Sequence, residues 1–596
     1  MKIPGPRAIS FTPFADEWRE YNTSYLRNDL WAALSVSLMT IPQSIAYSLL
    51  AGLPPTAGLF AAIFGTIFAA ALGSSRHLIS GPSTGTAILI QTTIADVLAN
   101  HFEHISGAAK EAIVLHILTQ IVLIMGLIQI GAAFFNVSKV LQFVSRPVVL
   151  GYFAGITVAI FVTQLFYFTG ISPDVGADSV LLKAWVFLLH ILQINGPTLL
   201  IGFISLLALL LFRKTLKNWP DALLMLILAA LISDALNLWL GNETVARLGD
   251  YQLPEEPIPE LTLPLIDFSL LNKIFPGAVA ISFLAILEVF SISRNFAAKS
   301  GHQVQVNQDV FGLGVSNALL SFISGSLPSS GSATRTTLSY SLNAKTRLAA
   351  ILSGLFTAII IFFCWPLVQH IPLAALAALL MVTVPALMNW SEIRLCFRAT
   401  REDAWVFLLT FLSCLIFSLD IAFFIGIVIS IGTFLRKSST PHLVEYAFNS
   451  KGRLMTVSTK EDVHRKVRII GIAGELYFAS ADVFQSALQS IAEDRNVQAI
   501  VLRLNNIYHM DASMCLAILR LYETLKATHR HLVISGLTEE VWRVFHRAGL
   551  VKQIGLDNLY FTDESNPQFS TWKACLRAQE LIHAKEEGLS SAPDTR

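Results

Sequence analysis

Long apolar stretches separated by short polar segments dominate the first three quarters of the chain. Leu30 to Ser75 contain no Asp, Glu, Lys or Arg, and an uncharged apolar run of about 20 residues is typical of a helix that crosses a membrane. The pattern predicts fourteen spans, seven in each half of this region. They are residues 29–49, 55–73, 82–99, 112–134, 147–169, 197–213, 220–240, 275–292, 306–325, 333–343, 347–366, 372–388, 404–419 and 421–436.

The distribution of basic residues tests this count, because the cytoplasmic loops of membrane proteins are enriched in Lys and Arg. With the N-terminus placed in the cytoplasm, the segments predicted to lie inside contain nineteen Lys and Arg residues, and the outside segments contain four. One span too many or too few would destroy this asymmetry. We therefore predict a multi-pass protein of the cell (inner) membrane with both termini in the cytoplasm.

An odd number of spans in each half means that the two halves cross the membrane in opposite senses. This is the inverted-repeat architecture of secondary transporters. The sequence therefore predicts a polytopic α-helical membrane protein with fourteen spans in a 7+7 inverted repeat. We place an N-terminal cytoplasmic segment at residues 1–28 and the transmembrane domain at 29–437, with repeats at about 29–245 and 272–437.

The composition changes after Lys437. The segments VRIIGIAGELYF and VQAIVLRLN have the apolar, β-branched pattern of strands, and SMCLAILRLYETLKA has the periodicity of an amphipathic helix. Alternating strands and helices predict a small α/β domain. We place this cytoplasmic domain at residues 440–575 and a C-terminal tail at 576–596.

Composition narrows the classes of function. The chain is 54% hydrophobic and 14% charged with a formal net charge of +1, so no strongly basic balance points to nucleic acid. The five cysteines form no CxxC pair or metal-ligand spacing. Because no nucleophile–base pair, metal cluster or phosphate-binding motif is recognisable, the sequence predicts no enzyme, no cofactor and no metal.

The third span of each half is short and interrupted by small residues, as SGPSTGTAIL from Ser80 and SSGSATRTTLS from Ser329. A helix that begins inside a membrane leaves its first amides without partners, and its dipole is positive there. Two such starts that face each other would bind an anion. Gly81 would allow close backbone approach, Pro82 suits the first helical turn, and Ser83 and Thr334 offer hydroxyl donors. The alternative is that small residues only permit tight helix packing.

Two charged residues are predicted to lie within the membrane. Arg335 belongs to the second interrupted segment, and a charge at that depth costs several kcal/mol unless it faces a cavity or a partner. It either adds a positive charge to the anion site or pairs with a carboxylate as a structural element. Glu288, in AISFLAILEVFSIS, is its natural partner, and its protonation would couple anion transport to protons. The alternative is that Glu288 pairs with Arg294 near the membrane surface.

The first span contributes two further candidates. Gln43 and Tyr47 are four residues apart in TIPQSIAYSLL and therefore share one face of a helix. Pro42 breaks or kinks that helix. The amide and the phenol are predicted to wall the site, with structural packing as the alternative.

Several motifs together resemble the SulP family of anion transporters, or sulfate permeases, with a C-terminal STAS domain. They are PQSIAYSLLAGLPPTAGLF, GSSRHLISGPS and VNQDVFGLGVSN. The resemblance implies core and gate domains that move by an elevator-like shift, and a homodimer. It places a substrate site between the starts of the third and tenth spans, walled by the first and eighth. On this chain that site comprises Gln43, Tyr47, Gly81, Pro82, Ser83, Glu288, Thr334 and Arg335.

The resemblance also implies a class of substrate. Members of the family carry sulfate, bicarbonate, halides or dicarboxylates, and some sodium-driven bicarbonate members lack an arginine where this chain has Arg335. Together with Glu288, this favours H⁺ over Na⁺ as the coupling ion. We predict a secondary active transporter of inorganic anions, with sulfate–proton symport first. A bicarbonate or C4-dicarboxylate carrier remains open, as does a membrane-bound STAS sensor or scaffold.

The predicted STAS domain resembles anti-sigma-factor antagonists, in which a serine that directly follows an aspartate is phosphorylated. Here the loop is HMDASMC, in which Asp511 matches, Ala512 stands in the serine position and Ser513 comes one residue late. Phosphorylation at that position is therefore not predicted. Asp511 is expected to cap the following helix, and the domain is a candidate surface for a cytoplasmic partner.

Overall fold

The computed structural model divides the chain into two compact units, Met1–Ser430 and Ile431–Arg596. The structure describes residues 9–19, 21–102, 107–136, 144–171, 179–216, 219–240, 245–250, 257–301, 303–438, 442–449, 452–457, 466–473, 478–494, 496–507, 509–563, 566 and 568–590.

The first unit is helical, as the apolar pattern predicts. Nine helical segments among the described residues are long and apolar enough to cross a membrane, and one of them, Pro55–Leu72, contains two of the helices named below. The other five predicted spans, at 82–99, 306–325, 333–343, 372–388 and 404–419, correspond to shorter or more polar helices, so the count of fourteen fits but stays a prediction. The helices are α1 (Pro13–Arg19), α2 (Leu26–Leu50), α3 (Pro55–Phe60), α4 (Thr66–Leu72), α5 (Thr84–His101), α6 (Ala108–Phe134), α7 (Arg146–Thr169), α8 (Val180–Leu189), α9 (Gly196–Thr215), α10 (Asp221–Leu240), α11 (Phe268–Ser300), α12 (Val306–Leu320), α13 (Ala333–Ser341), α14 (Leu348–Val368), α15 (Leu373–Thr383), α16 (Trp390–Ala399), α17 (Arg401–Ile416) and α18 (Leu419–Ser438).

These helices pack in two groups, and each group takes helices from both predicted repeats. The core group comprises α2–α6 and α11–α14, and the gate group comprises α7–α10 and α15–α17, with α18 packed on α7. Contacts between the groups join α2 to α10 and α15, and α5 to α7. The two groups correspond to the core and gate domains that the family resemblance implies.

Two buried carboxylates brace the turns next to the short helices of the core group. Asp29 accepts hydrogen bonds from the Lys345 amide and the Thr346 hydroxyl, both at 2.7 Å. Asp309 accepts them from the Ser74 amide at 2.6 Å and the Ser293 hydroxyl at 2.7 Å. A buried carboxylate is stable only when such donors satisfy it, so both turns are held rigidly against the helix that carries the aspartate.

The second unit is an α/β domain, as predicted, with a six-stranded sheet in the order β4-β3-β5-β6-β7-β8. The strands β5 to β8 are parallel, and β3 runs antiparallel to β4 and β5. Parallel neighbours require crossover connections, which the helices between them supply. The strands are β3 (His442–Phe448), β4 (Leu454–Thr456), β5 (Val467–Ala473), β6 (Ala499–Asn506), β7 (His531–Leu537) and β8 (Leu559–Phe561), and the helices are α19 (Phe478–Ala492), α20 (Ala512–Ala527), α21 (Glu539–Arg547), α22 (Leu550–Ile554) and α23 (Phe569–Ser590).

Helices cover both faces of this sheet. The helices α19 to α22 pack on one face, and α23 covers the other with a stripe of Ala574, Ala578 and Ile582 against Val501 and Val533. The spacing of four residues places these three side chains on one side of the helix. The predicted boundary at residue 575 therefore lies inside α23, and residues 576–590 continue the helix.

Candidate functional site

The two interrupted segments meet in a short antiparallel strand pair at the centre of the core group. The strands β1 (Ser80–Gly81) and β2 (Ser330–Gly331) pair Ser80 with Gly331 and Gly81 with Ser330. The Ser332 amide also donates to the carbonyl oxygen of Ile79 at 2.9 Å. Because α5 begins three residues after β1 and α13 begins two residues after β2, the pairing places their N-termini side by side, as the sequence predicts.

Serine caps begin both helices. The Ser83 hydroxyl accepts from the Thr86 amide at 3.2 Å, and the Thr86 hydroxyl accepts from the Ser83 amide at 3.3 Å, which forms a capping box. Ser332 occupies the cap position of α13. Pro82 therefore lies before the cap and outside the helix, so the prediction that it belongs to the first helical turn is wrong. The capping box starts the helix at Thr84 instead.

Arg335 is completely buried between these two helix starts. Its Nη2 donates to the carbonyl oxygen of Pro82, whereas Nε and Nη1 have no hydrogen-bond partner among the described residues. No carboxylate in the described part of the chain forms an ion pair with it, so the alternative of a structural ion pair is wrong. A buried guanidinium with unpaired donors is strongly disfavoured unless an acceptor reaches it, and an anion is the acceptor that this environment favours.

Gly81 permits the approach of this guanidinium. Its φ of +143° is a conformation that L side chains rarely adopt, and a Cβ there would lie 2.6 Å from Nη1 of Arg335. A residue with a side chain at position 81 would therefore displace the arginine or distort the strand.

Glu288 lies on α11 beside both half-length helices. Its Oε2 accepts a hydrogen bond from the Ser330 hydroxyl, and a Cβ at Gly85 would lie 3.2 Å from its Oε1. The carboxylate interacts with Arg335 electrostatically but without contact. Arg294 instead stacks on Phe290, with its Cζ atom 4.4 Å from the ring centroid. In the described residues Glu288 therefore forms an ion pair with neither Arg335 nor Arg294.

Gln43 and Tyr47 are both buried on α2, which packs against α5 and α13. Tyr47 interacts electrostatically with Arg335 and Glu288. The Oε1 atom of Gln43 has no partner among the described residues. The sequence predicts that Pro42 either breaks or kinks this helix. The helix continues through Pro42 without a break, so the predicted break is wrong.

Thr334 differs from the other predicted residues because its side chain is exposed. It stands in the first turn of α13, and its hydroxyl lies 3.4 Å from that of Ser332. The structure thus places Thr334 in the same first helical turn as Arg335, but on the exposed side of the helix.

Sequence reasoning missed the residues that hold the strand pair. The Asn317 Oδ1 atom accepts from the Ser329 amide at 2.7 Å, and its Nδ2 donates to the Ser329 carbonyl at 3.1 Å and to Gln129 Oε1 at 2.8 Å. In the other repeat, the Thr66 hydroxyl donates to the Ser80 carbonyl at 2.6 Å. A polar amide inside an apolar span was the available signal for Asn317, since such a group must find partners.

In the second unit, Asp511 caps α20 as predicted, because its Oδ1 accepts from the Met514 amide at 3.0 Å. Ser513 is half-buried in the first turn of the same helix. Burial, and secondarily the Asp511 carboxylate, raises the pKa of the Cys515 thiol to about 11.

Comparisons with known proteins agree with this architecture. The sulfate permease family model matches residues 26–410, and the STAS domain model matches residues 458–565. Sulfate transporter 4.1, chloroplastic, of Arabidopsis thaliana is 26% identical over 90% of this chain and 79% of that protein. The putative sulfate transporter YvdB of Bacillus subtilis is 24% identical over 92% and 98%. The inward-facing structure of the murine Solute Carrier 26 family member A9 anion transporter shares the fold, with a TM-score of 0.85 and 19% identity over 97% of this chain and 96% of that one.

Proposed function

Because the chain belongs to the sulfate permease family, we propose that this membrane anion transporter carries sulfate together with a proton by an elevator-type movement. The observation that carries the proposal is the buried Arg335, whose unpaired donors lie between two helix N-termini. A guanidinium and two positive helix ends form a site that favours an oxyanion. The proposed ligand set is the arginine with Gln43, Tyr47, Gly81, Pro82, Ser83 and Thr334.

Sulfate is the first choice among the anions because the Arabidopsis and Bacillus relatives are named sulfate transporters. Bicarbonate and succinate are the alternatives with the same charge chemistry. The test is uptake of each labelled anion into proteoliposomes, with and without an inward pH gradient. Sulfate uptake no faster than in protein-free liposomes would contradict the choice of substrate.

The Arg335→Ala variant tests the site itself. We expect it to insert normally and to lose sulfate uptake by about 10- to 100-fold, since a charge-assisted contact to an anion contributes about 1.5–3 kcal/mol. Arg294→Ala is the matched control, because Arg294 stacks on Phe290 outside the site. Retained uptake in Arg335→Ala would remove this residue from the ligand set.

Proton coupling is proposed for Glu288, which accepts from Ser330 beside both helix starts. A charged carboxylate there would repel the anion, and a neutral one would not, so protonation would accompany loading. Glu288→Gln is expected to keep sulfate exchange but to lose stimulation by a pH gradient. The control is Glu260→Gln, which alters an exposed carboxylate of a loop. Stimulation by a sodium gradient in place of the pH gradient would overturn the choice of H⁺.

An elevator movement is supported by the location of the candidate ligands, which all belong to the core group. The core group would then carry the anion past the gate group as one body. Cysteine pairs introduced between α2 and α15, in a chain without its own cysteines, should stop uptake when oxidised and restore it when reduced. Full uptake by the cross-linked protein would contradict the movement.

We further propose a homodimer in the cell membrane with cytoplasmic termini.

A further inference from the structure

Tyr152 is a buried phenol of the gate group that the ligand set above does not use. It lies on α7 and is 1% exposed, and its ring packs edge-on against Phe423 with the centroids 5.2 Å apart. Its hydroxyl has no hydrogen-bond partner among the described residues. Leaving a buried hydroxyl unpaired costs about 1–3 kcal/mol, and phenylalanine would fill the same space without that cost.

The surroundings of this hydroxyl place it at the boundary between the two helix groups. The carboxylates whose charge acts on it lie on both sides of this boundary, Asp420 on α18 of the gate group and Glu288 on α11 of the core group. The helix that carries it packs on α5, whose N-terminus forms half of the anion site. Tyr152 is thus a donor on the gate side that lies near the site without belonging to the core group.

We propose that Tyr152 is the contact of the gate group to the transported anion, and this inference rests on the proposed function. The guanidinium and the helix starts all lie on the core group, so they contact the anion from one side. A tetrahedral oxyanion such as sulfate keeps oxygens that point away from those donors. The Tyr152 hydroxyl donates a hydrogen bond to such an oxygen when the core and gate groups close around the anion.

The experiment compares Tyr152→Phe with the wild type in proteoliposomes and in thermal melting of the purified protein. We expect the KM for sulfate to rise about tenfold, because a hydrogen bond to an anion is lost, while the melting temperature stays unchanged or rises. Tyr167→Phe is the matched control on the same helix, and its KM should equal that of the wild type.

Other outcomes would overturn the inference. An unchanged KM means that the hydroxyl does not contact the anion. A lower melting temperature together with a higher KM means that the hydroxyl is structural. A changed pH dependence of sulfate uptake at constant KM means that the hydroxyl acts on the protonation of Glu288 and does not contact the anion.

The choice of substrate is tested separately from this role. If the wild type transports another anion of the panel but not sulfate, the same comparison is made with that anion. If it transports none, the proposed function fails and the inference fails with it.

Discussion

Arg335 donates a hydrogen bond to the carbonyl oxygen of Pro82, so a side chain of the second repeat is bonded to the backbone that leads into the half-length helix of the first. A guanidinium has five N–H donors, and this bond uses one of them. The bond orients the charge, and the remaining donors stay available to a ligand. The position of the arginine therefore depends on residues 81–83 as much as on its own helix.

Gly81→Ala should disrupt this arrangement. The new Cβ would lie 2.6 Å from Nη1 of Arg335, and the backbone at φ +143° would be strained. We expect sulfate uptake to fall at least tenfold while the protein still reaches the membrane. Gly131→Ala is the control, since a Cβ at that helical glycine meets nothing within 4 Å. Equal uptake by both variants would show that the arginine is not held by this close approach.

Asn317→Ala should destabilise the strand pair that aligns the two helix starts. The change removes three hydrogen bonds and leaves the buried Ser329 amide unpaired, at a cost of about 2–4 kcal/mol. The expected result is a lower melting temperature together with reduced uptake.

The control for this change is Asn100→Ala, which removes an exposed amide from the far end of α5. It should alter stability by less than about 0.5 kcal/mol. A melting temperature of Asn317→Ala equal to that of the control would mean that the strand pair does not need this clamp.

Ile582→Ala tests whether α23 is an integral part of the second unit. The side chain is buried against the sheet, and truncation of a buried isoleucine costs about 2–5 kcal/mol. Hydrogen exchange measured by mass spectrometry should therefore accelerate in α23 and β6. Leu576→Ala, at a side chain that is 39% exposed on the same helix, should leave both segments protected. Unchanged exchange in both variants would show that α23 adds nothing to the unit.

Cys515 should react slowly with maleimide at neutral pH. Its pKa is raised to about 11, chiefly by burial, and only the thiolate reacts. In a variant whose other four cysteines are serine, labelling at pH 7.5 should be about 300-fold slower than that of a free cysteine with a pKa of about 8.5, and it should rise about tenfold per pH unit. Because the folded pKa lies above the ordinary value, the folded state gains stability from the neutral thiol below about pH 8.5 and loses it as the pH rises toward 11. Labelling at the rate of a free cysteine would contradict the burial.

The sequence alone was informative where a local signal existed. The interrupted segments, the intramembrane Arg335 and the strand–helix alternation after Lys437 each depend on neighbouring residues, and they led to the fold class and to the residues of the candidate site. The strand pair could not be foreseen, since Ser80 and Gly331 are joined only in the tertiary structure. For the same reason, the sequence could not show that Glu288 and Arg335 form no ion pair.

Other errors came from local alternatives that the sequence does not separate. Pro82 fits both the first helical turn and the residue before a cap, and only the capping box of Ser83 decides between them. The tail boundary at 575 failed for a different reason. Because α23 is rich in charged residues, its stripe of three buried side chains is not evident from the sequence. The stripe is recognised only when the helix is seen packed on the sheet.

The strand pair also has a consequence for the order in which the protein matures. Synthesis proceeds from the N-terminus, and β1 finds its partner only when residues 330 and 331 have been made and inserted. Until then the start of α5 has neither a neighbouring strand nor the arginine that bonds to Pro82. A ribosome-bound chain that ends before the second repeat therefore holds one of the two helix starts but neither its partner strand nor Arg335, so the candidate site is assembled only after the second repeat has been made.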